Sequence, residues 1–163
     1  MLIIICAEVE EAKHINCPNA KILITGFGVE NVLKTPRLLI QPYDTILNIG
    51  YAGSNKYEVG SIVSINGVKL FNSPQEKEFN KLNPLEIGNK DFCYTSNSFC
   101  EYAIKEIPAV DMELYYLNLL YPNVRAIKII SDDLNYTGYK KFEAEDSWEK
   151  VNEFLNNEFY PKS

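Results

Sequence analysis

At 163 residues with 46% hydrophobic content, the chain can bury one sizeable core but is too short for two full domains, so we predict a single domain over residues 1–163. The formal net charge of -6 at pH 7 argues against a nucleic-acid partner, because phosphate backbones are bound by clustered lysines and arginines. The single histidine, His14, excludes a multi-histidine metal site, and no pattern indicates a metal or an organic cofactor. Four cysteines without C-x-x-C spacing favour buried, reduced thiols.

Apolar strand patterns dominate the first fifty residues. The β-branched run Leu2–Cys6 predicts a strand buried on both faces, and the runs Lys21–Thr25 and Thr45–Ile49 repeat its pattern. The apolar stretch at residues 1–7 is too short to span a membrane and has no basic residues before it, which is not the pattern of a signal peptide. We therefore expect a cytoplasmic protein without a membrane partner.

Two glycine-containing segments follow the second and third predicted strands. Gly26–Gly28 leads into a predicted helix with Val29, Val32 and Leu33 on one face. Gly50–Gly53 is predicted to be a loop that leads into a further strand. Neither segment is a nucleotide-binding motif, because the first lacks the third glycine of G-x-G-x-x-G and no P-loop lysine follows.

The second half of the chain completes an alternation of strands and helices. Residues 72–89 are polar and rich in turn residues, which predicts a loop or a short connection. An apolar helix is expected shortly after Asp111, and the run Val124–Ile130 predicts another buried strand. Apolar residues at helical spacing predict an amphipathic C-terminal helix: Phe142, Trp148, Val151, Phe154 and Leu155. This alternation indicates an α/β fold with a mostly parallel central sheet flanked by helices.

Acidic residues stand where several predicted strands end, which is where functional groups gather in such sheets. The carboxylates of residues 8–11 also suit the positive end of a helix dipole, and residues 131–133 also suit a helix cap, so structural roles remain alternatives for both. Asp111 and Glu113 lie among apolar neighbours, and buried carboxylates need partners or a task. Acids at three strand ends could face one pocket.

Several short sequence blocks follow one another between Met1 and Asn135. They are AEVEEAK after the first apolar run, ITGFGVENV, LNIGYAGSNKYEVGSIVSI, TSNSFC, AVDMELYYL and AIKIISDDLN. In this order they resemble the purine nucleoside phosphorylase/uridine phosphorylase superfamily, and most closely its methylthioadenosine/S-adenosylhomocysteine nucleosidases. The resemblance implies a nucleoside phosphorylase-like α/β fold and cleavage of the N-glycosidic bond of an adenosine-type nucleoside.

The resemblance also implies roles for the acidic residues. Glu113 would accept hydrogen bonds from the ribose 2′- and 3′-hydroxyls, Met112 would pack against the sugar, and Asp111 would be a supporting acid. Asp132 aligns with the acid that addresses purine N7, and Glu11 aligns with the base that activates the attacking water.

Four further residues are expected to contact the substrate by the same resemblance. Phe99 aligns with the aromatic residue that stacks on the base, and the backbone of Cys100 aligns with the group that reads the edge of the base. The second glycine block, with Tyr51 and Gly53, is expected to line the site. Tyr51 stands where the nucleosidases usually have a small hydroxyl residue, so we expect it to narrow the site.

Water is the expected nucleophile, because superfamily phosphorylases place arginines near the two glycine blocks and neither block has one here. Of the two arginines in the chain, Arg37 lies inside the predicted helix, and Arg125 could act only from a partner subunit. A phosphorylase is therefore the first alternative. A catalytically silent nucleoside-binding protein is the second, although such a protein would not need both an acid and a base.

The resemblance carries two expectations about size and assembly. A homodimer is common in the family and is expected here. The interval at residues 64–92 is shorter than the family usually has, so we expect a shortened member with a trimmed sheet.

Overall fold

The computed structural model describes residues 1–34, 40–41, 44–71, 79–97, 105–134 and 145–159. Within these residues there are eight strands and four helices. The strands are β1 Leu2–Cys6, β2 Lys21–Ile24, β3 Thr45–Gly53, β4 Ile62–Leu70, β5 Asn80–Lys81, β6 Asn89–Thr95, β7 Val110–Asp111 and β8 Arg125–Asp132. The helices are α1 Val9–Ala12, α2 Gly28–Lys34, α3 Leu114–Leu120 and α4 Glu145–Phe159.

All eight strands belong to one mixed sheet that closes on itself. The parallel order β2-β1-β3-β8 continues through an antiparallel β8–β4 pair into the parallel strands β4, β6 and β7. The ring closes where β7 pairs antiparallel with the end of β3, at Val110 and Gly53. Because five of the eight strand pairs are parallel, the predicted α/β fold with a mostly parallel sheet is confirmed, with three antiparallel pairs that the sequence did not indicate.

The hydrophobic core confirms the predicted burial of β1 and α4 and corrects the predicted burial of β2. All five residues of β1 are buried, and Trp148, Val151 and Leu155 of α4 pack against the face that β1, β3 and β8 share. In contrast, β2 is the edge strand of the sheet and is not buried on both faces; Ile24 is 48% exposed. A β-branched run shows strand propensity, but its place in the sheet depends on the distant strands that pair with it.

The second glycine block is part of a strand, which corrects the predicted loop. β3 runs on through Gly50 and Gly53, and its pairing with β8 continues as far as Asp132. The true connection is the segment at residues 54–61, which links β3 to β4. Sequence patterns treat glycine as a strand breaker, but a glycine inside a strand often marks a close approach by another group.

Further predicted features lie where expected in the described residues. The polar interval at residues 79–88 holds only the two-residue strand β5, and Cys6, Cys17 and Cys93 are buried free thiols. Within the described ranges, no helix has the length and apolar character needed to cross a membrane. The extent of the domain over residues 1–163 stays a prediction.

Candidate active site

A cavity of about 340 Å³ opens where β1, β3 and β8 end and α3 begins. It lies at the carboxyl ends of parallel strands, where open α/β sheets usually bind ligands. Its lining residues are Glu8, Glu11, Phe27, Tyr51, Ala52, Gly53, Val110, Asp111, Met112, Glu113, Ser131, Asp132 and Leu134. The three acids at strand ends therefore do face one cavity.

Glu11 is buried at the base of the cavity and is held by backbone donors on both sides. Its Oε1 accepts the N–H groups of Ala7 at 2.9 Å and Glu8 at 3.1 Å, and its Oε2 accepts the N–H of Tyr51 at 2.7 Å. Burial has the largest effect and raises the pKa of Glu11 overall, while the charge of Lys128 and these three donors oppose the rise. The donors fix the direction of the carboxylate and favour its ionised form.

Gly50 makes room for that carboxylate. A Cβ at Gly50 would lie 2.5 Å from Glu11 Oε2, which is closer than side chains approach one another. Glycine is therefore needed at this position of β3 because the carboxylate of Glu11 packs directly on the backbone.

Asp132, the last residue of β8, faces the same cavity from the neighbouring strand. Its Oδ1 accepts the N–H of Leu134 at 3.1 Å, and its Oδ2 accepts the hydroxyl of Ser131 at 3.1 Å. Burial raises the pKa of Asp132, and these two donors oppose the rise. A Cβ at Gly53 would lie 2.7 Å from Asp132 Oδ1 and even closer to Leu134 Cδ2, so this glycine makes room for both side chains.

Glu113 is the acid with an unused acceptor. Glu113 is only 6% exposed, and its carboxyl group accepts a hydrogen bond from the backbone N–H of Gly28. Its Oε2 has no hydrogen-bond partner among the described residues. Burial, followed by the charge of Asp111, raises the pKa of Glu113 to about 8, and Lys128 opposes this. A buried polar atom without a partner is costly, so this oxygen is placed to meet a ligand.

Asp111 stabilises the floor of the cavity. Its Oδ1 accepts the hydroxyl of Thr95 at 2.6 Å, and its Oδ2 accepts the N–H of Leu114 at 2.8 Å, at the start of α3. Lys128 Nζ lies 3.0 Å from the same Oδ2, and both side chains are almost fully buried. Burial lowers the pKa of Lys128, but Asp111 and the other nearby acids outweigh it, so its pKa lies above its ordinary value.

Tyr51 directs its side chain toward the C-terminal helix. Its hydroxyl accepts the indole N–H of Trp148 at 2.9 Å, and the two rings pack edge to face at 5.8 Å. Trp148 in turn stacks on His14 at 5.3 Å. Tyr51 therefore serves Glu11 through its backbone N–H, while its hydroxyl is held by α4.

The structure thus brings together six of the eight residues predicted to form the site. They are Glu11, Tyr51, Gly53, Met112, Glu113 and Asp132. Phe99 and Cys100 lie outside the described residues, so their roles stay predictions.

Three residues of the site were missed at the sequence level. Glu8 belonged to the acidic segment noted at the end of the first strand but was given no role of its own, and Phe27 was noted only as part of the first glycine segment. Lys128 was counted as part of an apolar strand, although a lysine in the middle of such a run is itself a signal of a buried ion pair.

The titration of Glu113 predicts a pH-dependent stability. The unfolded chain loses the proton of Glu113 near pH 4.5, whereas the folded protein keeps it up to about pH 8. The free energy of unfolding therefore falls as pH rises between these two values. The slope from this group is at most about 1.4 kcal/mol per pH unit. We expect a shallower fall for Glu113→Gln in urea denaturation across the window. Equal slopes for Glu113→Gln, the wild type and the exposed control Glu149→Gln would contradict the assignment.

Solved structures of nucleosidases share this fold. The structure of the MTAN protein of Chlamydia trachomatis superposes with a TM-score of 0.77 at 18% identity, covering 97% of this chain and 96% of that chain. The 5′-methylthioadenosine/S-adenosylhomocysteine nucleosidase of Neisseria meningitidis, in complex with methylthio-immucillin-A, gives 0.74 at 14% identity, covering 96% and 98%. A structure from Borrelia burgdorferi B31 with bound adenine gives 0.74 at 16% identity, covering 96% and 99%.

These structural similarities establish the fold, whereas the comparisons of sequence found no match. No protein-family model matches the sequence, and no curated protein matches it. The predicted resemblance is therefore confirmed as a shared fold: the chain has the architecture of the methylthioadenosine/S-adenosylhomocysteine nucleosidases.

Proposed function

We propose that the protein uses this cavity to hydrolyse the N-glycosidic bond of an adenosine-type nucleoside, such as methylthioadenosine or S-adenosylhomocysteine. One observation carries the proposal: the carboxyl groups of Glu11, Glu113 and Asp132 are held by separate elements around a single cavity of about 340 Å³. The shared fold supports it, because neighbours with this fold were solved with methylthio-immucillin-A or adenine bound.

Asp132 is the proposed general acid. Breaking an N-glycosidic bond passes through a sugar cation and expels a poor leaving group, so the purine must gain a proton. Burial raises the pKa of Asp132, which shifts it toward the protonated form that a general acid needs. The Ser131 and Leu134 contacts keep both oxygens of Asp132 at the edge of the cavity.

Glu11 is the proposed general base. It must be ionised to take a proton from water, and its three backbone donors together with the Lys128 charge favour that form. The same donors prevent the carboxylate from rotating, so a water bound to it is held in one direction. Its negative charge also stabilises the sugar cation in the transition state.

Glu113 is the proposed ribose ligand. Its unpartnered Oε2 can pair with a sugar hydroxyl, and a group that holds a proton below about pH 8 can also donate to the other one. Met112, the preceding residue, lines the same wall and offers a flexible apolar surface to the sugar. Binding of ribose would thus satisfy an acceptor that is otherwise buried alone.

The nucleophile is proposed to be water rather than phosphate. The described residues that line the cavity include five carboxyl groups and no lysine or arginine, which is a poor setting for a phosphate dianion. A phosphorylase remains the runner-up. Stacking of the base on Phe99, reading of its edge by the Cys100 backbone, cytoplasmic location and a homodimer are parts of the proposal that rest on the sequence resemblance.

The first test is release of free base, followed by chromatography. The purified protein is incubated with methylthioadenosine, S-adenosylhomocysteine, adenosine and inosine. We expect adenine from at least one of the first three. Binding without release from any of them would favour the silent nucleoside-binding protein instead.

Glu113→Gln tests the ribose assignment. We expect it to weaken binding of nucleosides by about tenfold, since the loss of one hydrogen bond to ribose is worth up to that much, and to change adenine binding little. Calorimetry measures both affinities. Equal losses for the nucleoside and the free base would remove Glu113 from the sugar site.

A further inference from the structure

The proposed chemistry leaves one carboxyl group of the cavity without a task. Glu8 lines the cavity with the three proposed catalytic and ribose-binding acids, but it is only half-buried. Burial raises the pKa of Glu8, with smaller contributions from Glu11 and Glu10. Phe27 lines the same cavity and is 50% exposed.

Strand order fixes which part of a nucleoside would reach Glu8. The strands β8, β3, β1 and β2 lie side by side, so Asp132 follows one end of the row and Phe27 follows the other. Three strand spacings separate them, about 14 Å, which is the length scale of a substituted nucleoside. Glu11 and Glu8 both come after β1, between these ends.

Ribose carries its base on C1′ and its 5′ carbon on C4′, the two carbons that flank the ring oxygen, and the two substituents extend away from each other. With the base at Asp132 and the hydroxyls at Glu113, the 5′ substituent therefore points along the row toward β2. The Gly28 N–H that binds Glu113 belongs to the residue next to Phe27, which places Phe27 beside the ribose site. The 5′ substituent would thus meet an aromatic ring and the carboxylate of Glu8.

The charge of this wall favours a cation. Lys128, the positive group nearest the acids, is buried and paired with Asp111 rather than directed at the opening. Among the described lining residues nothing positive offsets Glu8. A cation at this point would gain both the carboxylate and the face of Phe27.

We propose that Glu8 is a specificity-determining residue, which selects adenosine-type nucleosides whose 5′ substituent carries a positively charged group, such as a protonated amine. This inference rests on the proposed orientation of the nucleoside. The second observation that points to a ligand here is the buried, unpartnered oxygen of Glu113 in the same cavity.

The test compares two probes, 5′-amino-5′-deoxyadenosine and 5′-methylthioadenosine, which differ in the charge of the 5′ group. Dissociation constants are measured by calorimetry in the Asp132→Asn background, where turnover is low in every sample. Glu8→Gln is the test variant, because glutamine keeps an oxygen at this N-cap position of α1. Glu10→Gln is the matched control, since Glu10 is exposed and paired with Lys13.

We expect Glu8→Gln to weaken binding of the amino nucleoside relative to the methylthio nucleoside by about tenfold, and Glu10→Gln to leave the ratio unchanged. Added salt should reduce the wild-type preference. An unchanged ratio in Glu8→Gln, or the same shift in Glu10→Gln, would overturn the inference. Absence of base release by the wild-type protein, which keeps Asp132, would overturn the proposed function. The ratio of dissociation constants would still decide the role of Glu8.

Discussion

Replacing Asp132 with asparagine is expected to lower kcat by about 10²- to 10⁴-fold while leaving nucleoside binding nearly unchanged. Asparagine keeps the shape and can still accept the N–H of Leu134, but it has no proton to give to the departing purine. The loss should therefore appear in kcat rather than in the dissociation constant. Single-turnover base release and calorimetry with the same nucleoside separate the two quantities.

Asp133→Asn is the matched control, because it makes the same chemical change at the adjacent, exposed position. We expect its kcat to stay within about threefold of wild type, a change of well under 1 kcal/mol in the barrier. An Asp132→Asn protein with wild-type turnover would disprove the assignment of the acid. Equal losses in both variants would show that charge at this end of β8 matters in general.

The second large effect concerns stability. Lys128→Met is expected to lower the free energy of unfolding by about 3–5 kcal/mol, because it leaves the Asp111 carboxylate buried without its charge partner. Methionine fills most of the volume of the lysine stem, so the loss reflects the unpaired charge more than a cavity. Urea denaturation at neutral pH measures it.

A double variant distinguishes charge from packing. Adding Asp111→Asn to Lys128→Met removes the buried charge, and we expect it to recover part of the lost stability. Lys13→Met is the control, since its pair with Glu10 is exposed and contributes little to stability. A Lys128→Met protein as stable as this control would contradict the assignment of a structural ion pair.

Local patterns predicted the elements better than their places in the sheet. The apolar runs at β1 and β8 and the helical spacing in α4 were visible, because burial and periodicity leave direct marks on the sequence. The antiparallel pairings of β4 with β8 and of β7 with β3 were not visible, since they depend on contacts between distant segments. The exposed position of β2 was missed for the same reason.

The second glycine block shows how the needs of a site can hide a strand pattern in the sequence. Gly50 and Gly53 suggested a loop, yet both lie in β3, where the side chains of Glu11, Asp132 and Leu134 come too close to allow a Cβ. These neighbours explain the glycines, and they lie far away in the sequence.

The resemblance named the acids, but only the structure showed their surroundings. The donors that hold Glu11, the free oxygen of Glu113 and the Lys128–Asp111 pair depend on side-chain positions. A sequence gives the types of these residues without their distances.

The most direct test of the proposed hydrolysis is to measure the mass of the sugar formed from methylthioadenosine, in one sample with phosphate and in one without it. We expect adenine together with unphosphorylated 5-methylthioribose, at the same rate with and without phosphate. Formation of 5-methylthioribose 1-phosphate, at a rate that depends on phosphate, would contradict the proposed hydrolysis and identify a phosphorylase.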